Sequence, residues 1–294
     1  MKKPFAFIGL GAMGLPIARR LAEATGRLAV ADLSRSRVDR LLSQVGAAAT
    51  ADPEAVRQAQ TVFLCLPSAE ATRAVVTELL RGAEIDRVFI DLGALAPAFV
   101  GEMARLCAER SAVFCDAPVF GTPLMAENGQ LYFLFSGDEH VGREFSKIAA
   151  LAGYRFRYAG AAGCASTVKL LQNALGTANL CAAAEAFQVC EAAAIDTGVF
   201  IDVVRECGGI GLSTVFDRFA DDMAARRDSG QGRLRIAAKD MKSAVELAHS
   251  SSVSVPVMEQ TASQFQRAVD MGLEEQQFTA VVQVGGTARA KGDK

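Results

Sequence analysis

Residues 5–32, FAFIGLGAMGLPIARRLAEATGRLAVAD, decide the fold. A short apolar run (5–10) breaks into Gly9-Leu10-Gly11-Ala12-Met13-Gly14, an amphipathic stretch (13–25) follows, and a second apolar run (28–32) ends on Asp32. GxGxxG alone is a weak signal. Here a strand precedes it, a helix follows it, and an acidic residue closes the next strand, eighteen residues past Gly14. In that setting Gly9 permits the tight turn, Gly11 lets the backbone approach a pyrophosphate, and Gly14 lets the helix pack on the sheet. The helix N-terminus offers unsatisfied N–H groups to the phosphates. Residues 9–14 and Asp32 are therefore assigned to a dinucleotide. A carboxylate at position 32 accepts hydrogen bonds from both ribose hydroxyls and repels a 2′-phosphate, which favours NAD. Ser34, Arg35 and Arg37 stand where such a phosphate could be caught, so NADP remains possible.

Working outward, the same alternation recurs. LAVAD (28–32), TVFLCL (61–66), RVFID (87–91), AVFCD (112–116) and LYFLFS (131–136) read as strands, with helical stretches at 36–44, 70–81 and 97–109. Strands apolar throughout and separated by helices predict a parallel sheet covered on both faces. Residues 1–160 are thus expected to form a doubly wound, Rossmann-type α/β domain. After YRFRYAG (154–160) the pattern turns helical, at about 163–195, 199–207, 213–225, 235–249 and 256–271. Gly198 and Gly208-Gly209 supply stops and Pro256 a start. Residues 161–294 are expected to be an all-helical domain for substrate and dimerisation. The first of its helices is apolar on most faces, so it must be covered all round. That predicts a long interdomain helix packed against a partner chain in a homodimer or homotetramer.

Composition narrows the function. The 294 residues exceed what one compact core usually serves, and 51% are hydrophobic, enough to build two. A formal net charge of −2 argues against nucleic acid or an anionic membrane as partner. The start MKKPFAFIGLGAMG is basic, then apolar, yet glycines break it and it runs straight into the motif, so it is not read as a signal peptide. Thr177, Asn179, Glu185 and Glu191 interrupt the longest apolar stretch, which disfavours a membrane span. The polar tail GGTARAKGDK is expected to fray. Cysteines at 65, 107, 115, 164, 181, 190 and 207 show no CxxC spacing. Buried free thiols in a cytoplasmic protein are expected, rather than disulfides or a metal site.

Two further stretches carry chemistry. DAPVFGTPLMAENGQL (116–131) is a Pro- and Gly-rich loop between strands, where function is commoner than packing. Gly121 and Thr122 offer backbone N–H groups, and Thr122 a hydroxyl, to a substrate carboxylate. GCASTVKLLQNALG (163–176) sets Lys169 and Asn173 four residues apart on one helix face amid small and apolar residues. A lysine against apolar walls has its charged form disfavoured, which suits proton transfer, and Asn173 supplies both a donor and an acceptor. The two histidines, His140 and His249, lie in ordinary helical or connecting sequence.

Together these stretches resemble the β-hydroxyacid dehydrogenases related to 3-hydroxyisobutyrate dehydrogenase and tartronate semialdehyde reductase, within the 6-phosphogluconate dehydrogenase superfamily. GLGAMGLPIA (9–18) is similar to the cofactor motif, DAPVFG (116–121) to the substrate loop, and KLLQN (169–173) to the catalytic helix. AAKDM (237–241) is similar to the C-terminal Lys-Asp pair. The resemblance implies an NAD(P)-dependent oxidoreductase acting on a small β-hydroxyacid or semialdehyde. It makes Lys169 the catalytic acid/base, gives Phe120, Gly121, Thr122 and Asn173 to the substrate, and adds Leu66, Pro67, Ala94 and Lys239 to the cofactor site.

The departures bear on substrate. The family usually continues its loop Ser-Gly-Gly, whereas this chain has Phe120-Gly121-Thr122; Gly93-Ala94 replace a Ser-Thr pair, and Gln277 and Thr279 an Asp and a Ser. Each lost hydroxyl removes a hydrogen bond worth about 1 kcal/mol, enough to change preference without abolishing catalysis. Two alternatives follow: an aldehyde or imine reductase lacking a carboxylate anchor, or a dinucleotide-binding scaffold without chemistry. The second has no need of Lys169, Asn173 and Lys239 together.

Overall fold

A computed structural model describes residues 5–81 and 86–285. The chain divides into two compact units, Met1–Lys169 and Leu170–Lys294. In the first, the strands β1 (Phe5–Ile8), β2 (Leu28–Ala31), β3 (Ala49–Thr50), β4 (Thr61–Leu64), β5 (Val88–Asp91) and β6 (Val113–Asp116) form one sheet in the order β3-β2-β1-β4-β5-β6. Every pairing in it is parallel. The connections are α1 (Gly14–Thr25), α2 (Arg35–Val45), α3 (Pro53–Arg57), α4 (Ala69–Leu80) and α5 (Pro97–Ala108).

Apolar strands are explained by two cores. Along β1, Phe7 lies in one and Ala6 and Ile8 in the other; the split recurs at Val30 against Ala29, Phe63 against Val62 and Leu64, and Ile90 against Phe89. Side chains alternate across a strand, so burying both faces requires apolar residues at every position.

LYFLFS departs from the expectation. Its strand β8 (Tyr132–Phe135) lies outside the parallel sheet, at the centre of a second sheet with β7 (Val119–Phe120) and β9 (Arg155–Tyr158), in the order β7-β8-β9. The cause is the connection. The only helix between β6 and β8 is the one-turn α6 (Pro123–Glu127), too little for a parallel crossover, and β7 pairs with β8 antiparallel. The thirteen-residue helix α7 (Glu139–Leu151) then provides that crossover, and β8 pairs with β9 in parallel. The RFRY strand escapes sequence reading because it is an edge strand, mostly exposed, with charged residues alternating along it.

The second unit, among its described residues, is helical. Helix α8 (Cys164–Ala192) starts in the first unit and continues into it, followed by α9 (Thr197–Cys207), α10 (Thr214–Ala224), α11 (Leu234–Ser250), α12 (Pro256–Asp270) and a 3-10 segment at Phe278–Gln283. Its core gathers Leu180, Ala184 and Phe187 of α8 against Ile201, Phe216, Phe219 and Phe265, with the Phe187 and Phe216 rings stacked at 6.0 Å. On α8 itself, Leu171, Leu175 and Val189 stay exposed in the single chain. No helix among the described residues is long and apolar enough to cross a membrane. Four cysteines are buried, but Cys164 and Cys207, at the first position of α8 and the last of α9, are exposed: a helix end lacks the neighbouring turn that would cover it. Most of the polar tail, residues 286–294, lies outside the described residues.

Candidate active site

In the first unit the assigned residues gather at the carboxyl edge of the parallel sheet. Gly9 follows β1, Asp32 follows β2, Leu66 and Pro67 follow β4, Ala94 follows β5, and the loop to Phe120 follows β6. The strand order reverses between β1 and β4, and ligands of open α/β sheets bind outside the carboxyl ends at such a point.

The glycine loop fits a dinucleotide pyrophosphate. Gly9 has φ +101°, and a Cβ added to it would lie 2.3 Å from the Cys65 carbonyl oxygen. A Cβ on Gly14 would lie 1.9 Å from the Gly9 carbonyl oxygen. These two glycines are demanded by the fold. Gly11 is different: a Cβ there meets nothing within 4 Å, so the folded chain itself does not require a glycine at that position. Helix α1 has no side-chain cap and no acidic residue in its first turn. Among the described residues the amides of Ala12 and Met13 have no hydrogen-bond partner. Such uncapped amides are suited to donate to a phosphate.

Asp32 is held in place. Its carboxylate accepts from the Leu10 amide at 2.6 Å and the Ser34 amide at 2.7 Å, with the Arg37 guanidinium 3.6 Å away. Each oxygen keeps a lone pair for a ribose hydroxyl. Arg35 turns away to pair with Asp39 at 3.0 Å.

The loop after β6 begins with a residue for which the sequence reading named no role. The carboxylate of Asp116, fully buried, accepts from the Gly163 amide at 2.9 Å, the Ser166 amide at 2.8 Å and the Ser136 hydroxyl at 2.5 Å. Ser136 in turn accepts from the Ala165 amide at 3.0 Å. This one carboxylate takes two of the amides at the start of α8, and with Ser136 it ties that helix start to the end of β6. The clues in sequence are that an acid ends a buried strand and opens the DAPVFG stretch. Asp91, at the equivalent point of β5, is also buried. Burial pushes its carboxyl up to about 7, although hydrogen bonds from the Gly93 amide (2.7 Å) and the Thr72 hydroxyl (3.0 Å) pull the other way.

Lys169 lies on α8, and its Nζ stands 4.5 Å from the centre of the Phe120 ring. Residues 49 apart in sequence thus meet within one unit. The wall beside the lysine thus includes an aromatic face, which attracts an ammonium group. Gly121 has φ +138°, and a Cβ on it would sit 2.6 Å from Leu131 Cδ2, so a side chain is excluded twice over. Thr122 caps α6, its hydroxyl accepting from the Met125 amide at 3.3 Å while its own proton stays available.

In the second unit the amide nitrogen of Asn173 donates to Asp240 Oδ2 at 2.8 Å, and Lys239 Nζ lies 3.2 Å from Asp240 Oδ1. Asp240 is buried and Lys239 is exposed. Orienting the Asn173 amide this way leaves its carbonyl oxygen and second N–H for another molecule. Gln277 is spent elsewhere: it is buried, accepts from the Ser229 hydroxyl at 2.7 Å and donates to Asp222 at 3.2 Å. Thr279 is likewise buried. His249 pairs with Glu259 at the surface.

Comparison with known proteins identifies the family. Residues 4–160 match the NAD binding domain of 6-phosphogluconate dehydrogenase, and residues 163–285 the NAD-binding domain of NADP-dependent 3-hydroxyisobutyrate dehydrogenase. The chain is 28% identical over 287 residues to an NAD-dependent L-serine dehydrogenase of Pseudomonas aeruginosa, covering 95% of this chain and 96% of that one. It is 26% identical to a 3-sulfolactaldehyde reductase of Escherichia coli, covering 97% and 98%. Among solved structures, the 3-hydroxyisobutyrate dehydrogenase of Mycobacterium tuberculosis, studied with L-serine, shares the fold with a TM-score of 0.83 at 24% identity, covering 96% and 99%. The chain therefore belongs to the β-hydroxyacid dehydrogenase family of NAD(P)-dependent oxidoreductases.

Proposed function

We propose that the protein transfers a hydride between a nicotinamide dinucleotide, with NAD preferred, and a small β-hydroxyacid or semialdehyde, with Lys169 as general acid and base. The observation that carries this reading is the approach of Lys169 Nζ to the Phe120 end of the DAPVFGT loop. When bound, the nicotinamide supplies the hydride acceptor or donor at its C4. Everything else falls to the chain. In oxidation neutral Lys169 takes the proton of the substrate hydroxyl; in reduction its ammonium form returns that proton to the developing alkoxide, a role worth about 10²–10⁴-fold. Asn173, turned by Asp240, orients the reacting oxygen or its neighbour. The Gly121 and Thr122 amides and the Thr122 hydroxyl hold the remote end. Lys239 neutralises cofactor charge. Leu66, Pro67 and Ala94 line the dinucleotide. By their names, one relative oxidises serine and another reduces 3-sulfolactaldehyde, which supports a short-chain substrate.

Exposed Leu171, Leu175 and Val189 on α8 and Val199 and Val203 on α9 support a homo-oligomer, which light scattering at micromolar concentration reads directly. Seven cysteines without CxxC spacing support a reducing, cytoplasmic setting.

The test is a panel of L-serine, 3-hydroxyisobutyrate, succinic semialdehyde and 3-sulfolactaldehyde, read by nicotinamide absorbance with NAD(H) and with NADP(H). NAD(H) is expected to win, because Asp32 repels a 2′-phosphate. Lys169→Ala is expected to cut turnover at least 100-fold with dinucleotide affinity nearly intact. Lys169→Arg should fail almost as badly, since guanidinium does not release its proton near neutral pH. An arginine variant that kept most of the activity would reduce Lys169 to an electrostatic anchor.

A further inference from the structure

The small second sheet has a row of side chains running straight across it. Phe120 on β7 pairs in register with Tyr132 on β8, and Tyr132 with Arg155 on β9. The Tyr132 and Phe120 rings meet edge to face, centres 6.2 Å apart. At one end the Arg155 guanidinium lies 5.4 Å from the Tyr132 ring centre; at the other, Lys169 Nζ lies 4.5 Å from that of Phe120. Two aromatic rings therefore stand in line between two cations.

Such a row has a mechanical consequence. Lysine has four flexible side-chain bonds, and its ammonium is a mobile point charge. Phe120 is confined by register on a strand and by the Tyr132 edge beside it, and Gly121 next in sequence permits the turn that ends the strand. A ring so fixed attracts the ammonium to one place above its face. We infer that Phe120, backed by Tyr132, is a positioning residue that holds Lys169 Nζ at its reactive position. The position carries a hydroxyl in the family motif that DAPVFG otherwise resembles, so this chain has exchanged a polar contact for an aromatic clamp on its lysine. The inference rests on the reading of Lys169 as the acid/base.

A double-mutant cycle tests it, using the full-length protein, the best substrate of the panel and single-turnover nicotinamide fluorescence. Phe120→Leu keeps an apolar side chain but removes the π face; its rate is expected to fall about 2- to 30-fold, the range of a cation–π contact. Dinucleotide affinity should stay unchanged. Phe120→Tyr, which keeps the face, should recover most of that loss. In the Lys169→Ala background, Phe120→Leu should change nothing further. Lys169→Ala at full speed would sink the acid/base reading and this one with it. Lys169→Ala slow but Phe120→Leu at full speed would sink only the clamp. Equal losses for leucine and tyrosine, or additive losses in the double variant, would mean that Phe120 acts on packing or substrate instead. A readout without turnover is the Lys169 ε-methylene NMR signal, which should lie upfield in the ring current of Phe120 and return to its ordinary position in Phe120→Leu; an unmoved signal overturns the contact itself.

Discussion

Asp116→Ala offers the sharpest test of how the candidate site is held. The substitution strips the buried partner from the Gly163 and Ser166 amides and from the Ser136 hydroxyl, at 2.9, 2.8 and 2.5 Å. The hydroxyl can rotate; the two amides, fixed at the start of α8, cannot. Each buried N–H left unpaired costs about 1–3 kcal/mol. Removing the carboxylate also relieves the cost of burying a charge, which offsets part of the loss. A net loss of about 2–5 kcal/mol results, against about 1 kcal/mol for Asp138→Ala, where an exposed cap of α7 accepts only the Val141 amide. Tyrosine emission reports this cleanly, because the chain has no tryptophan and its three tyrosines, Tyr132, Tyr154 and Tyr158, all lie in the first unit. Urea unfolding followed at that signal therefore measures the unit that Asp116 supports. A loss under about 1 kcal/mol at unchanged slope, or one no larger than that of Asp138→Ala, would refute the idea that this carboxylate anchors the helix.

Two other outcomes follow from particular contacts. Gly14→Ala should destabilise the first unit severely, because its methyl meets the Gly9 carbonyl oxygen, whereas Gly11→Ala should leave thermal stability unchanged and weaken NAD binding at least tenfold by calorimetry. A destabilised Gly11→Ala would show that this glycine serves the fold. Burial holds the Asp91 carboxyl up at about 7, above its unfolded value near 4. Between those values the folded state binds the extra proton, so stability should fall as pH rises from about 4 to about 7, by at most about 1.4 kcal/mol per pH unit, and level off above. Asp91→Asn should flatten that slope; an unchanged pH dependence of the urea midpoint would locate the titration elsewhere.

The sequence by itself determined what depends on local pattern. Apolar strands with a two-sided burial, the glycine turn opening α1, the acid ending β2 and the helical second half are all written in residues close along the chain. Each element forms for reasons confined to about a dozen neighbours. Helix starts and stops came out within two residues for α1, α4, α5 and α10 because glycine, proline and periodicity act locally. The failures share the opposite character. LYFLFS looks like any central parallel strand, and only the short connection before it and its pairing with Val119 and Phe120 decide that it founds a second sheet. Gln277 is held by the Ser229 hydroxyl and by Asp222, partners 48 and 55 residues away that no local pattern signals. No pattern around Asp116 announces that it will meet amides 47 and 50 residues away, or that Phe120 will lie beneath Lys169. Hydrogen bonds and ring contacts are set by distances of a few ångströms between segments remote in sequence. Such distances exist only once the chain has closed on itself.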